Sequence, residues 1–458
     1  MNLGKALLAG SLTVLISACA SSFNNDNNTE VDTHFSGAYQ FEDGTLVTLG
    51  PSNEERMRML RYKDGQPFSL YHDEGKTFKA SKGFSSKDFF ANGQLEYNGN
   101  GDVTGARWEE NGEVKSVTKL PLIRKSVYFK SGELTLRGEL TLPAGKGPFP
   151  VVITVHGSED YSAVDYYHWP YILAAHGIAG FKFDKRGTGG SEGEYTQHFP
   201  TLAGDVIAAI SALEKDNAID PSRVNLIGFS QGGWIAPLVA KQTDIQSYIV
   251  GFGTSVPVPR EDRWGYVKQL IDNGYGEQEI AFADEFNEQL NKIIYQHDED
   301  AWEGLFQLKE QHEDSAWFKT ISGSDSMLGF VAEKITHPLA NLVPEFGWKL
   351  YTRWKKGGNE GGPGFNRTYQ PLETLSQLQT PSMWLLSGED SSLPTPETVD
   401  ELKLLQSQGS PIDYRVYPGA EHGNINFVVD EQGNRTYTGY VPTYFSDVVD
   451  YFKKQNRI

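Results

Sequence analysis

Three observations predict that most of this 458-residue chain folds as an α/β sandwich with a mostly parallel sheet. From Leu122 onward, apolar stretches of strand length alternate with helical stretches, the pattern of successive β-α units. Val151–Val155 is an apolar run of the kind expected of a parallel strand buried on both faces. Val224–Ile227 runs directly into Gly228-Phe229-Ser230-Gln231-Gly232 and then into an Ala- and Leu-rich helix. A small all-β domain precedes this region, and a helical insertion interrupts it.

The N-terminus is set apart by composition. Met1–Ala18 carries Lys5, then the apolar run Ala6–Ile16, then small residues, as a secretory signal peptide does. Its end, Leu15-Ile16-Ser17-Ala18-Cys19, resembles a bacterial lipobox, which implies cleavage before Cys19 and lipidation of that residue. Cys19 is the only cysteine, so no internal disulfide can form, and acyl chains would make it a membrane anchor. Ala20 stands where Asp typically signals inner-membrane retention, so the expected address is the outer membrane, facing the periplasm. Residues 19–33 are rich in Asn, Ser, Asp and Thr and read as a flexible tether. The formal net charge of −19 argues against nucleic acid and against electrostatic docking on anionic lipid.

Residues 34–120 read as the all-β domain. Turn pairs at Asp43-Gly44, Asp64-Gly65, Asn92-Gly93 and Asn111-Gly112 separate short runs such as Gly44–Leu49, Met57–Tyr62 and Pro67–Tyr71. This spacing suggests hairpins in a meander or small barrel. The domain serves as a structural spacer or, through Tyr62, Phe68 and Tyr71, as a binding module.

Residues 121–458 form the α/β domain. Leu122–Lys130 and Glu133–Leu142 pair as antiparallel strands about Ser131-Gly132, with Leu134, Leu136, Leu140 and Leu142 on one face. Tyr166–Ala175 is helical, Ile178–Phe183 a strand, Leu202–Leu213 a helix and Tyr248–Gly251 a strand. Residues 252–366 break the alternation with amphipathic stretches at Arg263–Asn273, Glu277–Gln296 and Trp302–Glu310, a Trp-rich run through Trp317, Trp348 and Trp354, and a Gly-rich hinge at Lys356–Gly364. These are expected to form a helical cap over the mouth of the sheet. Alternation resumes with Ser382–Ser387, Pro396–Gln408, Ile412–Tyr417 and a terminal helix over Tyr440–Lys454.

Strand, serine and helix in immediate succession describe a nucleophile elbow. Two later loops supply partners. Asp390 stands just past the strand Ser382–Ser387, and His422 just past Ile412–Tyr417. A serine hydroxyl needs an adjacent base to act as a nucleophile; His422 fits that role, and Asp390 would hold the imidazole in the right tautomer. Glu389 is adjacent and could serve in place of Asp390, which stands where this fold usually carries its acid. The oxyanion of a tetrahedral intermediate needs donors, and an elbow of this kind is expected to draw them from the backbone N–H groups of Ser158, in His156-Gly157-Ser158, and of Gln231. His156 reads as a residue that shapes the loop. In Phe183–Ser191 the glycines do not satisfy Gly-x-Gly-x-x-Gly, and Asp184 with Arg186 reads as an ion pair bracing the sheet edge. Asp205 reads as a helix-dipole residue. No metal-ligand spacing is legible among the histidines.

The region from about Leu122 to the end resembles the α/β-hydrolase superfamily. Its motifs, His156-Gly157-Ser158, Asp184–Ser191, Gly228–Gly232, Asp390 and His422, are similar to those of bacterial esterases related to serine-aminopeptidase-like hydrolases. The resemblance implies hydrolysis of a small carboxylic ester through an acyl-enzyme, without a cofactor. An aminopeptidase on the same three residues is the first rival, with Glu192, Glu194 or cap carboxylates holding an α-amino group. A catalytically inactive binding protein is the second.

Overall fold

The computed structural model describes residues 33–52, 56–73, 76–296, 300–322, 364–431 and 435–458, together with 298, 324, 326, 328, 329, 331 and 332. The signal peptide, Cys19, Trp348 and Trp354 lie outside the described residues, as does nearly all of the hinge. The chain divides into two compact units. One comprises Val31–Val256, Gln370–Asp390 and Thr395–Ile458; the other is built on Pro257–Tyr369 with Ser391–Pro394.

The first unit opens with a closed antiparallel barrel. Its strands are β1 (Gly37–Phe41), β2 (Leu46–Pro51), β3 (Met57–Arg61), β4 (Gln66–His72), β5 (Thr77–Lys82), β6 (Phe89–Tyr97), β7 (Val103–Glu110) and β8 (Glu113–Lys119). β8 closes on β1 through Tyr39 opposite Lys119. Val47, Leu49, Met59, Leu70, Phe78 and Trp108 are among the side chains that fill the interior. Asp43-Gly44, Asp64-Gly65 and Asn111-Gly112 lie at turns, but Asn92-Gly93 lies inside β6. Gly93 is there for close approach: a Cβ on it would lie 2.2 Å from Cζ of Phe78.

The α/β sheet of the same unit has eight strands: β9 (Ile123–Ser131), β10 (Leu134–Leu142), β11 (Phe149–Val155), β12 (Ala179–Phe183), β13 (Ile219–Phe229), β14 (Ser247–Gly251), β15 (Ser382–Ser387) and β16 (Ile412–Tyr417). Their spatial order is β16-β15-β14-β13-β11-β12-β10-β9. β9, β10 and β12 pair antiparallel, and every pairing from β12 to β16 is parallel. Parallel strands need crossovers, and the helices Trp169–Ala175, Phe199–Leu213, Gly232–Ala240, Thr395–Ser407 and Tyr444–Asn456 supply the cover on which the apolar strands bury.

The expected helix Tyr166–Ala175 is two pieces, Ala163–Tyr166 and Trp169–Ala175. Pro170 has no N–H to offer the preceding turn, so the chain leaves the helix at Tyr167 and restarts with Pro170 in its first turn. The terminal helix begins at Tyr444, because Tyr440 ends a strand. That strand belongs to a small sheet of β17 (Ala420–Glu421), β18 (Ile425–Val429) and β19 (Arg435–Tyr440), which the sequence reading missed. Val428 and Val429 are exposed, so no burial pattern marks β18.

The barrel and the α/β domain share a continuous apolar contact. Leu60 on β3 is buried with Val152, Ile172, Leu173 and Phe445 of the α/β domain, and Tyr62 packs on that cluster. The Tyr62 ring centroid lies 4.6 Å from that of His176, and its hydroxyl donates to the Phe445 carbonyl at 3.1 Å. Thr48 on β2 hydrogen-bonds His168 at 3.0 Å. Phe68 is in the barrel core. Two of the three residues considered for a binding surface are therefore committed to packing.

The second unit is helical: Val258–Asp272, Glu277–Asn291 continued by a π turn over Lys292–Gln296, Ala301–His312, Ala316–Ile321 and the short Gly364–Thr368. Its own core takes Tyr266, Leu270, Phe286, Trp302, Trp317 and Phe318. Trp317 is thus a packing residue of its unit. Among the described residues, no helix is long and apolar enough to cross a membrane.

Replacing Tyr62 tests the barrel contact. Tyr62→Ala is expected to lower unfolding free energy by about 2–4 kcal/mol through lost packing, and Tyr62→Phe by about 1 kcal/mol through the lost hydrogen bond alone. Equilibrium urea denaturation measures both; equal midpoints for Tyr62→Ala and wild type would show that the two domains fold without this contact.

Candidate active site

Ser230 stands between the end of β13 and the start of the helix Gly232–Ala240, with φ +49. A non-glycine residue at positive φ costs energy, and the surroundings hold it there. The turn is possible because two backbones nearly touch. A Cβ on Gly228 would lie 2.5 Å from the Gly232 carbonyl oxygen, and one on Gly232 would lie 2.8 Å from that of Val155. The Ser230 N–H donates to the Gly251 carbonyl at 3.1 Å, which pins the elbow to β14.

The other two residues arrive from β15 and β16. His422 Nδ1 donates to Asp390, whose carboxylate oxygens lie 2.9 and 3.1 Å away. The Asp390 side chain is buried and that of His422 partly so. With the proton on Nδ1, Nε2 is an acceptor, and it lies 3.2 Å from Ser230 Oγ. The structure brings together Asp390, not Glu389, with His422; the Glu389 N–H is spent on the Ala420 carbonyl at 2.8 Å.

The His422 loop is tied at its far end. Asn424, at φ +55, accepts from Ser387 Oγ at 2.9 Å and donates to the Leu385 carbonyl at 3.2 Å. Phe252, at φ +39, lies edge-on to the His422 ring at 5.1 Å and stacks on Phe229 at 5.4 Å. Among the described residues five non-glycines have positive φ, and Ser230, Phe252 and Asn424 are three of them. Strained backbone is thus concentrated around the imidazole.

Gly157 and Ser158 follow β11. A Cβ on Gly157 would lie 3.2 Å from that of Ser230, so this loop passes directly beside the serine. Among the described residues no acceptor faces the N–H of Ser158 or of Gln231. Gln231 opens the elbow helix, where the helix dipole favours negative charge. The loop is held from behind. His156 Nε2 donates to the Phe183 carbonyl, Lys185 Nζ donates to the Gly157 carbonyl at 2.8 Å, and the Tyr195 hydroxyl donates to the Ser158 carbonyl. The Tyr167 hydroxyl donates to the Glu159 carboxylate.

The loop Phe183–Ser191 is paired differently from the expectation. Asp184 does not face Arg186. It accepts from Ser162 Oγ at 2.7 Å, the Val164 N–H at 3.0 Å and the Gly190 N–H at 2.9 Å, with Arg137 at 3.3 Å. Arg186 instead pairs with Asp205 through two bonds of 2.6 and 2.8 Å. Asp205 is therefore an ion-pair partner within its helix, not a dipole residue at the end. β12 ends at Phe183 and the chain turns at Arg186, so Asp184 and Arg186 are not held on one extended face and find partners on different elements. Glu192 accepts from the Thr135 N–H at 2.6 Å. Among the described residues no cluster of three His, Cys, Asp or Glu side chains is arranged for a metal ion.

Residues 146–264 match the family model described as serine aminopeptidase, S33. With the strand order above, in which β11 and β12 exchange places and the elbow follows the strand beside them, this match settles the fold. The chain has the α/β-hydrolase fold. It is 24% identical over 291 residues to an uncharacterized 31.7 kDa protein in the traX-finO intergenic region of Escherichia coli, covering 61% of this chain and 88% of that one. Among solved structures, the hydrolase is similar to Pyrococcus horikoshii acylaminoacyl peptidase, at 13% identity and a TM-score of 0.44 over 90% of this chain. It spans 58% of that peptidase. Ferulic acid-bound Est1E from Butyrivibrio proteoclasticus is 13% identical with a TM-score of 0.41, over 72% of this chain and 100% of its own. Proline iminopeptidase of Mycobacterium smegmatis is 13% identical with a TM-score of 0.41, over 73% and 99%.

His156 gives the hydrolase a measurable acid sensitivity. Burial, and then the charge of Lys185, push its imidazole from 6.5 down to about 4. The ring stays neutral in the fold and takes a proton in the unfolded chain. Its contribution is complete above about pH 6.5 and is lost as pH falls towards about 4, amounting to about 2 kcal/mol between about pH 7 and about pH 5. Denaturation at the two pH values should show this loss, and His156→Gln, which keeps a donor for Phe183, should reduce it. An unchanged difference in the variant would assign the sensitivity to other groups.

Proposed function

We propose that this α/β hydrolase is a serine esterase that cleaves small carboxylic esters through an acyl-enzyme. The observation that carries the reading is the continuous chain from the Asp390 carboxylate through His422 to Ser230 Oγ, with the last step at 3.2 Å. His422 Nε2 takes the hydroxyl proton as Ser230 Oγ attacks the acyl carbon. The oxyanion lies at the N–H groups of Ser158 and Gln231. The tetrahedral species collapses, His422 protonates the departing alcohol, and the acyl group remains on Ser230. Water activated by the same imidazole then attacks, and the acid leaves. Asp390 holds the Nδ1 proton throughout and stabilises the imidazolium.

The family description supports a second reading, an aminopeptidase on the same residues. Such an enzyme must hold a free α-amino group with a carboxylate. Glu192 is engaged by the Thr135 backbone, and the Glu159 carboxylate accepts from Tyr167. Both observations support the ester reading. The inactive binding protein has against it a complete and aligned Ser-His-Asp set.

A parallel assay on p-nitrophenyl acyl esters and aminoacyl anilides separates the readings, with faster ester turnover expected; faster anilide turnover would replace esterase by aminopeptidase. Ser230→Ala should abolish turnover of either, and Asp390→Asn should lower kcat by about 10⁴. A fluorophosphonate probe should label Ser230 in the folded protein, and failure to label would favour the binding protein.

The same proposal places the enzyme on the periplasmic side of the outer membrane, held by acyl chains on Cys19 through the tether 19–33. Support comes from the signal-like segment and the lipobox-like Leu15–Cys19. Radiolabelled palmitate should be incorporated by wild type and not by Cys19→Ala, with the variant moving from the membrane to the soluble fraction. A labelled, membrane-bound Cys19→Ala would refute the anchor.

A further inference from the structure

The Gly157–Ser158 peptide presents two polar groups, one engaged and one open. Its carbonyl accepts from Lys185 Nζ at 2.8 Å, and its N–H has no acceptor among the described residues. The peptide bond is planar and trans, so these groups point in opposite directions. Holding the oxygen on one side fixes the N–H on the other. Drawing electron density toward the oxygen also makes the N–H a stronger donor, as in any hydrogen-bonded chain.

Lys185 is suited to this and to little else. It is 2% exposed, and its ammonium points inward to the loop, not to solvent. The Tyr195 ring covers it at 5.0 Å, and the same tyrosine's hydroxyl donates to the Ser158 carbonyl. A buried ammonium is costly unless compensated. Glu159 and Asp160 supply the compensating field, while burial and the Lys185 charge keep His156 neutral. Tyr167 fixes the Glu159 carboxylate. Gly157 lies beside Ser230, so the charge is set one peptide away from the place where an acyl oxygen turns negative.

We propose that Lys185 is a positioning residue of the oxyanion hole: its ammonium, anchored on the Gly157 carbonyl, orients and polarises the peptide whose Ser158 N–H receives the developing oxyanion. The inference rests on the esterase reading, in which Ser230 is the nucleophile. It adds a pH dependence. Burial lowers the Lys185 ammonium from 10.5 to about 8, with Glu159 and Asp160 opposing the shift. The cation is present below that value and lost above it, so turnover falls as pH rises through about 8.

The test uses the full-length protein with Lys185→Met and Lys185→Arg, ester turnover followed from about pH 6 to about pH 10, and fluorophosphonate labelling of Ser230. Wild type should lose kcat on an alkaline limb near pH 8. Lys185→Met should lower kcat by about 10- to 100-fold at neutral pH, with KM within about 2-fold and no limb near that pH. Lys185→Arg should restore most of kcat and move the limb beyond the measured range, because a guanidinium stays charged. A Lys185→Met enzyme within about 2-fold of wild-type kcat would overturn the proposal. So would a limb that persists in Lys185→Arg, a result that stands even where Lys185→Met fails to fold. Labelling of Ser230 with either result overturns the role of Lys185 alone. Absence of labelling and turnover in folded wild type overturns the esterase reading and this inference together.

Discussion

The site depends first on how closely one strand and one helix approach. Across the elbow, a methyl group on Gly228 would strike the Gly232 carbonyl oxygen at 2.5 Å, and one on Gly232 would strike that of Val155 on β11 at 2.8 Å. Between these close approaches Ser230 takes φ +49, at the junction of strand and helix. A looser turn would relax the serine into ordinary helical or extended backbone and drop it into the sheet. Every other part of the site is aimed at the point this turn defines. β11 brings Gly157 beside it, β15 ends three residues before Asp390, and β16 leads to His422.

The groups behind the site follow a second rule, that ionisable side chains leave water only when their partners come with them. Asp184 collects three hydrogen bonds and the Arg137 guanidinium, yet burial still raises its carboxyl above the ordinary range. Arg186 and Asp205 form a two-bonded pair, the geometry in which a guanidinium gives most. Lys185 has a peptide carbonyl, an aromatic face and two carboxylates nearby. Because each partner lies on a different loop, these bonds join the segments 156–165, 183–191 and the helix Phe199–Leu213 into one support under the oxyanion loop. Removing one partner would leave the other buried and charged, which costs more than the pair itself contributes.

What could be read from the sequence was whatever has a short period or a fixed neighbour. The central parallel strands announce themselves because both faces are buried, as in Ser382–Ser387, and the edge strand Ile412–Tyr417 also matches its expected bounds to the residue. The elbow was legible because glycine, serine and glycine must be adjacent. Pairings across loops were not. Asp184 and Arg186 are two residues apart and look like partners, but the turn that follows β12 sends them to Ser162 and Asp205. Asn92-Gly93 has the composition of a turn, yet its glycine makes room for the Phe78 ring inside a strand. In the small sheet β17–β19, β17 is only two residues long and β18 and β19 are largely exposed, with no alternating pattern to betray them. The support given by Lys185 left no signal, since a lysine beside an arginine in a glycine-rich loop reads as solvated.

That small sheet also bears on why a barrel precedes the α/β domain. His422 lies between β17 and β18, so the imidazole is held by whatever holds this sheet. On one side Asn424 is clamped to the end of β15 and accepts from the Val441 N–H at 2.9 Å. On the other side β19 meets the barrel: the Tyr440 N–H donates to the Gly65 carbonyl at 2.9 Å, and Gln66 donates to the Thr438 carbonyl at 3.3 Å. Gly65 belongs to the turn between β3 and β4, and the same β3 places Leu60 in the core of the α/β domain. A spacer would need only a linker. This barrel instead contacts the domain through its core and through the strands that flank His422. An imidazole that must stay near 3 Å from a serine oxygen gains from that bracing, because a displacement of about 1 Å at such a site costs about 10²-fold in rate.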